Sequence, residues 1–257
     1  MNENSQAEEN EDLFDGKPQK DEESLWDTVK TIVYAVLFAL VVRSFAYEPF
    51  SIPSGSMIPT LLVGDYLFVS KMSYGYSKHS LPFSLPVLPE RVMFEEPERG
   101  DVAVFKEPRD NKTDFIKRIV GLPGDTIQVI GGVLHINGKA VKRERLGEFV
   151  YEDRHGSFHH TVRYQETLPN GVQYNIIEEG NSAPYDNTLA YKVPEGHYFG
   201  MGDNRDNSSD SRVIGYIPKE NLVGRAETKF FSIDGSFWKF WEWPWSLRFE
   251  RFFTSVD

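Results

Sequence analysis

Polar and apolar residues fall into three regimes along this chain. Residues 1–23 hold almost no large apolar side chain and run through Glu, Asp, Asn, Gln and Lys. Such a stretch cannot bury enough surface to offset its ordering, which predicts a solvated, disordered tail. The segment TIVYAVLFALVV, Thr31 to Val42, then carries no charge, and the wider stretch Leu25–Ala46 admits only Asp27, Lys30 and Arg43. From Glu48 onward apolar residues recur at every second position, as in Asp65–Ser70 and Asp101–Phe105, the period of strands with one buried face.

Uncharged from Thr31 to Val42 only, the apolar segment is shorter than the roughly 20 residues that span a bilayer. A soluble core helix is therefore one alternative. Lys30 and Arg43 lie near the ends of the wider stretch, where long side chains reach headgroups. No amphipathic layer downstream would cover an apolar rod, so the reading taken is a membrane helix over 24–47. A cleaved signal peptide is the other alternative, since Ser44-Phe45-Ala46 is a small-x-small triplet. Against it, the preceding region is acidic rather than basic and Arg43 adjoins the triplet. Lys17, Lys20 and Lys30 precede the helix while Arg43 alone follows before Lys71, which places the N-terminus in the cytoplasm.

The β region carries its own punctuation. Thr126–Ile130, Gly131-Gly132, Val133–Ile136 and Asn137-Gly138 read as strands joined by two tight hairpin turns, with residues that accept the positive φ such turns need. Fifteen Pro and 20 Gly favour short strands over long helices, so the fold class is mainly β. Residues 143–194 are more polar, carry no chemical motif and read as an inserted β-rich lobe. The aromatic stretch 237–253 interleaves Trp and Phe with Lys239, Arg248 and Arg251. That suits a membrane interface or an aromatic plug in a β core equally.

Charge and composition narrow the chemistry. The net charge is −11, but residues 1–23 contribute −7 of it, with nine acids against Lys17 and Lys20. No basic domain points to nucleic acid. Cysteine is absent, which removes thiol nucleophiles, disulfides and Cys-ligated zinc. The chain lacks H-E-x-x-H, G-x-S-x-G and the P-loop motif. Ser236-Phe-Trp-Lys239 fits S-x-x-K in an aromatic setting that argues packing. His155, His159 and His160 read as solvated surface. In Asp203–Asp210, Arg205 and Ser208 occupy positions that a calcium loop reserves for other residues.

Three turn-rich segments remain. In Ile52-Pro-Ser-Gly-Ser-Met-Ile-Pro-Thr-Leu61 two prolines bracket Ser54-Gly55-Ser56 and hold a hydroxyl forward. In Phe115–Asp125, Lys117 lies within a strand among Phe115, Ile116, Ile119 and Val120, surroundings that disfavour an ammonium. The third, Gly202–Arg212, is dense in hydroxyls and charge pairs.

Taken together, these segments closely resemble the type I signal peptidases, membrane-bound Ser/Lys endopeptidases. The matching residues are Arg43–Phe50, Ile52–Met57 with Pro59–Leu61, Gly64-Asp65, Arg99–Val102, Lys117-Arg118 with Gly121–Asp125, and Gly202–Arg205 with Ser208 and Asp210–Arg212. They stand in the family's order across most of residues 43–225. The resemblance implies coiled antiparallel sheets forming a partial barrel. It implies Ser56 as nucleophile, Lys117 as general base, Ser208 orienting the lysine, and Ser54 with the Ser56 N–H facing the oxyanion. Phe50, Ile52, Met57, Leu61 and Ile116 match residues lining two shallow apolar pockets. Arg118, Asp203, Asp210 and Arg212 match positions read as structural ion pairs. No cofactor or metal is implied.

The implied substrates are preprotein signal peptides, cut after a small-x-small motif through an acyl-enzyme, with the lipid bilayer and the secretion translocon as further partners. The implied location is the bacterial inner membrane, single-pass, with residues 48–257 periplasmic. Two departures stand out: relatives often carry two membrane helices, and some carry a disulfide in the lobe. A self-cleaving repressor-type Ser/Lys protease shares this chemistry but is soluble and smaller. A non-catalytic, membrane-anchored peptide-binding scaffold would need neither Ser56 nor Lys117.

Overall fold

A computed structural model describes residues 25–80, 88, 90–153, 155–180, 183–235, 241 and 243–256. The acidic segment 1–23 and the S-x-x-K at 236–239 lie outside the described residues, as does part of the aromatic stretch. Two compact units divide between Leu40 and Val41. In the first, the apolar segment is helical as expected, within one helix, α1 (Leu25–Phe45). At 21 residues it is about 31 Å long, enough to cross a bilayer. Its apolar side chains are exposed on every side, from Ile32 and Val33 through Leu37 and Phe38 to Val41. A soluble core helix would bury a stripe of these. The apolar stretch and the charged residues at its ends therefore lie within one helix that is long and apolar enough, by length and composition, to cross a membrane.

The second unit is antiparallel β. Its strands are β1 (Tyr47–Ser51), β2 (Asp65–Ser70), β3 (Val102–Lys106), β4 (Asp114–Gly121), β5 (Thr126–Ile130), β6 (Val133–Ile136) and β7 (Lys139–Ala140). They continue as β8 (Lys142–Glu152), β9 (Phe158–Thr167), β10 (Gln173–Glu178), β11 (Tyr191–Lys192), β12 (His197–Met201), β13 (Ile217–Pro218), β14 (Leu222–Ser232) and β15 (Thr254–Ser255). The main sheet runs β1-β2-β14-β3-β4-β12-β13, with β15 beside β14. β5, β6, β7 and β11 make a four-stranded sheet, and β8, β9 and β10 a three-stranded one. Register shifts interrupt β14 where it pairs with β2 and with β3, the irregularities by which a sheet bends on itself.

The two hairpin turns form where the sequence places them. Gly131, Gly132, Asn137 and Gly138 all adopt positive φ, between β5 and β6 and between β6 and β7. The return strand Tyr191–Lys192 pairs with β5 rather than with the lobe, so the strands of the lobe sheet run from Lys142 to Glu178.

Three buried apolar groups knit the sheets together. One, from Ile127, Leu134 and Ile136 to Leu168, Ile176, Phe199 and Met201, joins the hairpin sheet and the lobe to β12. A second gathers Ile52, Met57, Leu61, Leu67 and Val104 against Phe50 and Ile116. A third packs Phe105, Ile119, Tyr198 and Ile217, with Phe115 at its margin. β4 therefore has apolar neighbours on both faces.

The lobe is also tied to the main sheet by buried charge. Arg205, after β12, donates to both Glu166 oxygens at 2.9 and 2.5 Å, and the Tyr174 hydroxyl donates to the same carboxylate at 2.6 Å. The Ile177 N–H donates to the Asp203 carbonyl and the Arg205 N–H to the Ile177 carbonyl. Cutting one partner from a buried pair leaves an uncompensated charge. Glu166→Ala is therefore expected to lower stability by about 3–5 kcal/mol, read as a fall in the urea midpoint, and an unchanged midpoint would show that the pair contributes nothing.

Candidate active site

Ser56 occupies a one-turn 3-10 helix, Gly55–Met57, directly after Ser54. It is buried, and its Oγ lies 2.8 Å from the Lys117 Nζ. The lysine, 4% exposed, sits on β4 with Phe115 and Ile119 on the same face, since strand side chains alternate. Nζ also donates to the Ile116 carbonyl at 2.9 Å and lies 5.5 Å from the Phe115 ring centre.

Two glycines allow this approach. A Cβ on Gly200 would stand 3.0 Å from the Lys117 Cβ and 2.8 Å from the Ile217 Cδ1. On Gly202 it would meet the Ser208 Oγ at 2.2 Å and the Ser56 carbonyl oxygen at 2.5 Å. Any larger residue at 202 must push the nucleophile turn away.

Burial lowers the Lys117 pKa to about 8; the Asp210 and Asp203 carboxylates oppose that shift and the Arg212 guanidinium adds to it. Neither carboxylate is free to pair with the amine. Asp203 takes two hydrogen bonds from the Arg118 guanidinium, at 3.0 and 2.9 Å, and one from the Thr60 hydroxyl at 2.6 Å. Asp210 accepts from the Arg212 guanidinium at 2.9 and 2.8 Å and from the Gly202 N–H at 3.0 Å. Burial alone would push the Asp210 carboxyl up; the Arg212 and Gly202 donors override it and hold it below the usual range. Arg118 also donates to the Gly100 carbonyl and stacks over the Tyr174 ring at 4.3 Å.

Other residues singled out in the sequence are placed as follows. Ser54 is exposed, with its Oγ 3.5 Å from that of Ser56. Ser208 is buried beside Gly202, but its Oγ has no hydrogen-bond partner among the described residues. Phe50, Ile52, Met57, Leu61 and Ile116 come together in one apolar group next to Ser56. Met57 and Leu61 are wholly buried within it, whereas Phe50 and Ile116 keep exposed surface.

Several residues near the site had no role read for them in the sequence, Asn204 being noted only as a motif position. Asn204 donates its N–H to the Ser56 carbonyl at 3.1 Å, and its Nδ2 donates to the Gly55 carbonyl at 3.2 Å and the Tyr151 hydroxyl at 3.0 Å. Glu166 on β9 and Tyr174 on β10 lie in the polar segment that carries no chemical motif, and the strand pairing brings them to Arg205. A hydroxyl 2.8 Å from a desolvated amine, with that amine's charged neighbours already paired, is equipped for nucleophilic attack assisted by proton transfer.

Comparisons with known proteins identify the family. The family described as signal peptidase, peptidase S26, matches residues 25–231. The chain is 41% identical over 246 residues to a signal peptidase I of Rickettsia typhi, covering 88% of this chain and 92% of that one. To a signal peptidase I of Rickettsia prowazekii it is 40% identical over 246 residues, with the same coverage of 88% and 92%. A crystal structure of a signal peptidase I from Enterococcus faecalis aligns at 26% identity, 51% of this chain and 97% of that one, with a TM-score of 0.31.

A lysine that titrates near 8 in the folded chain and near 10.5 when unfolded binds fewer protons folded than unfolded between those values. Wild-type stability therefore rises with pH from about 8 to about 10.5. Below that window the desolvated amine costs roughly 3 kcal/mol. Lys117→Met should raise the urea midpoint at pH 7 and flatten the rise between pH 8 and 10.5; a lower midpoint at pH 7 would contradict the desolvation argument.

Proposed function

This chain belongs to the signal peptidase family, peptidase S26, and on that premise we propose that Ser56 and Lys117 are the nucleophile and general base with which it cleaves signal peptides. The single observation that carries the assignment is the 2.8 Å contact between the two reactive atoms inside an apolar pocket.

The reaction follows from that geometry. Neutral Lys117 accepts the hydroxyl proton as Ser56 Oγ adds to the scissile carbonyl carbon. Negative charge develops on the carbonyl oxygen, facing the Ser56 N–H and the Ser54 hydroxyl. Protonated Lys117 then donates its new proton to the leaving amine, whose C–N bond breaks to give the acyl-enzyme. The same neutral amine takes a proton from water as the hydroxide adds to the acyl carbon; the C–Oγ bond then breaks, and Lys117 returns that proton to Oγ, which restores Ser56 and the neutral amine. An ammonium has three hydrogens to place, whereas among the described residues the resting amine meets the Ser56 Oγ and the Ile116 carbonyl. The unpartnered Ser208 hydroxyl is the third acceptor, reached as the lysine gains its proton.

The substrate is an extended preprotein segment with small residues at the first and third positions before the cut. Two shallow pockets rimmed by Phe50, Ile52 and Ile116 and floored by Met57 and Leu61 admit a methyl and exclude larger groups by overlap. Arg118, Asp203, Asp210 and Arg212 hold the loops in place without taking part in proton transfer. The protein is membrane-anchored through α1, and by its positive charges the tail 1–23 lies in the cytoplasm and the catalytic region 48–257 in the periplasm, at the bacterial inner membrane. In the aromatic segment the Phe231 ring packs on Trp243 and Phe252, while Trp245, Phe249 and Phe253 point outward, Trp245 at 85% exposure. Those outward rings rest in the lipid interface beside the substrate's own membrane segment, which raises effective concentration at the site. Substrates arrive there from the secretion translocon.

Incubating a purified presecretory protein with the full chain should yield one new N-terminus, preceded in the precursor by small residues at the first and third positions. Ser56→Ala, Lys117→Ala and Lys117→Arg should each lose at least about 10³-fold in kcat, since a guanidinium does not deprotonate in this range. Turnover near wild type by any of them would refute the dyad. Because the neutral amine is the active form, kcat/KM should rise with pH through about 8 and level off above; a profile that falls across that range would exclude Lys117 as the base. Replacing Trp245, Phe249 and Phe253 together with Ser should weaken cleavage of membrane-inserted precursor but spare a short soluble peptide, and equal losses on both would place these rings elsewhere.

A further inference from the structure

A phenol of the lobe reaches toward the Ser56 turn through the Asn204 side chain. On β8, the Tyr151 hydroxyl accepts one Nδ2 hydrogen of Asn204 at 3.0 Å, and the other is donated to the Gly55 carbonyl at 3.2 Å. The Asn204 N–H holds the Ser56 carbonyl at 3.1 Å. Asn204 thus grips the peptide units on both sides of the Ser56 Cα. The first of these units is decisive. The Gly55 carbonyl and the Ser56 N–H belong to one planar trans peptide and point in opposite directions, so fixing the carbonyl fixes where the N–H aims.

Tyr151 is itself held in place. The His159 ring stacks on it with centres 4.9 Å apart and planes 9° apart. The two His159 nitrogens lie 3.2 Å from an Asp153 oxygen and 3.0 Å from a Glu179 oxygen, and the Glu179 N–H donates to Asp206 in the Asn204 loop. Ring and loop are therefore braced against each other from two directions.

We propose that Tyr151 is a positioning residue of the lobe: through Asn204 it sets the Gly55–Ser56 peptide plane and so aims the Ser56 N–H at the oxygen that becomes negative when Ser56 attacks. This rests on the Ser/Lys reading above and adds a task for the lobe. The phenol touches no reacting atom. Its effect appears only as charge develops on the carbonyl oxygen, because a misaimed donor costs most in the transition state.

The test uses the full chain in detergent. Tyr151→Phe keeps the ring on His159 and removes one hydrogen-bond acceptor. It should lower kcat by about 3- to 10-fold with KM little changed. A peptide aldehyde with Ala at the first and third positions adds to Ser56 Oγ and places its oxygen where the oxyanion forms. Its Ki should rise in proportion to the fall in kcat, while the same peptide with a reduced, non-carbonyl linkage should bind both forms alike. On an Asn204→Ala background, Tyr151→Phe should change kcat/KM by less than about twofold further. Fully additive losses, an effect confined to KM, or an aldehyde Ki unmoved while kcat falls would each overturn the proposal; a KM effect would mean instead that the phenol contacts substrate in the adjoining groove of about 880 Å³, which it lines with Ser51, Ile52 and Pro53. Activity of Ser56→Ala at the wild-type level is a separate failure, that of the dyad itself.

Discussion

Everything at the site depends on one amine kept out of water. The proposed role of Lys117 as a base requires that enough of it be neutral near physiological pH, and an ordinary lysine is not. Its burial beneath Phe115, Ile119 and the Ser56 turn brings the pKa down to about 8. That environment is easily spoiled. A carboxylate in direct contact would favour the ammonium and cancel the shift, and two buried carboxylates, Asp203 and Asp210, lie close enough to raise the pKa. Each is instead committed to its own arginine, Asp203 to Arg118 and Asp210 to Arg212. These ion pairs act less as glue than as neutralisation. They let charged loops pack around the lysine without restoring its charge.

The alternation of β4 explains why lysine and arginine can be adjacent and do opposite jobs. Successive side chains on a strand point to opposite faces, so Lys117 goes to the face of Ser56 and Arg118 to the face of Asp203 and Tyr174. A one-residue slip would exchange their faces. In one direction it would put a guanidinium that never deprotonates beside the hydroxyl; in the other it would leave Asp203 to an amine. The antiparallel pairing of β4 with β3, from Val102 opposite Arg118 to Lys106 opposite Asp114, holds the register.

The sequence displays the parts of this structure that are set by neighbours in the chain. The charge-free run ahead of Arg43 gives the helix, the positive-φ pairs Gly131-Gly132 and Asn137-Gly138 give the hairpins, and the apolar flanks of Lys117 give its desolvation. The family resemblance implies the pairing of Ser56 with Lys117, and the fold brings the two within 2.8 Å. What stayed hidden depends on partners chosen across the sheets. Glu166 sits in a polar segment that carries no chemical motif, and the β9–β10 pairing with the Asn204–Arg205 loop buries it. Nothing near Tyr151 in sequence points to Asn204, since 53 residues separate them. Ser208 shows the reverse limit: motif position assigns it to the lysine, yet its hydroxyl is buried without a partner among the described residues.

That vacant hydroxyl fits the energetic logic of the rest. A desolvated amine and an unpaired buried hydroxyl both cost stability, and both sit within the Ser56 turn's surroundings, where Gly200 and Gly202 hold the backbones close. The offsetting interactions lie a layer further out, in the paired arginines and in the lobe, whose Glu166–Tyr174–Arg205 cluster and Tyr151–Asn204 contact both converge on the loop behind the nucleophile. The inserted lobe is therefore part of how the site holds its shape. Without it, the loop that carries Asn204, Arg205 and Ser208 would lose the buried Glu166 counter-charge and the hydroxyls of Tyr151 and Tyr174 that hold Asn204 and Arg205.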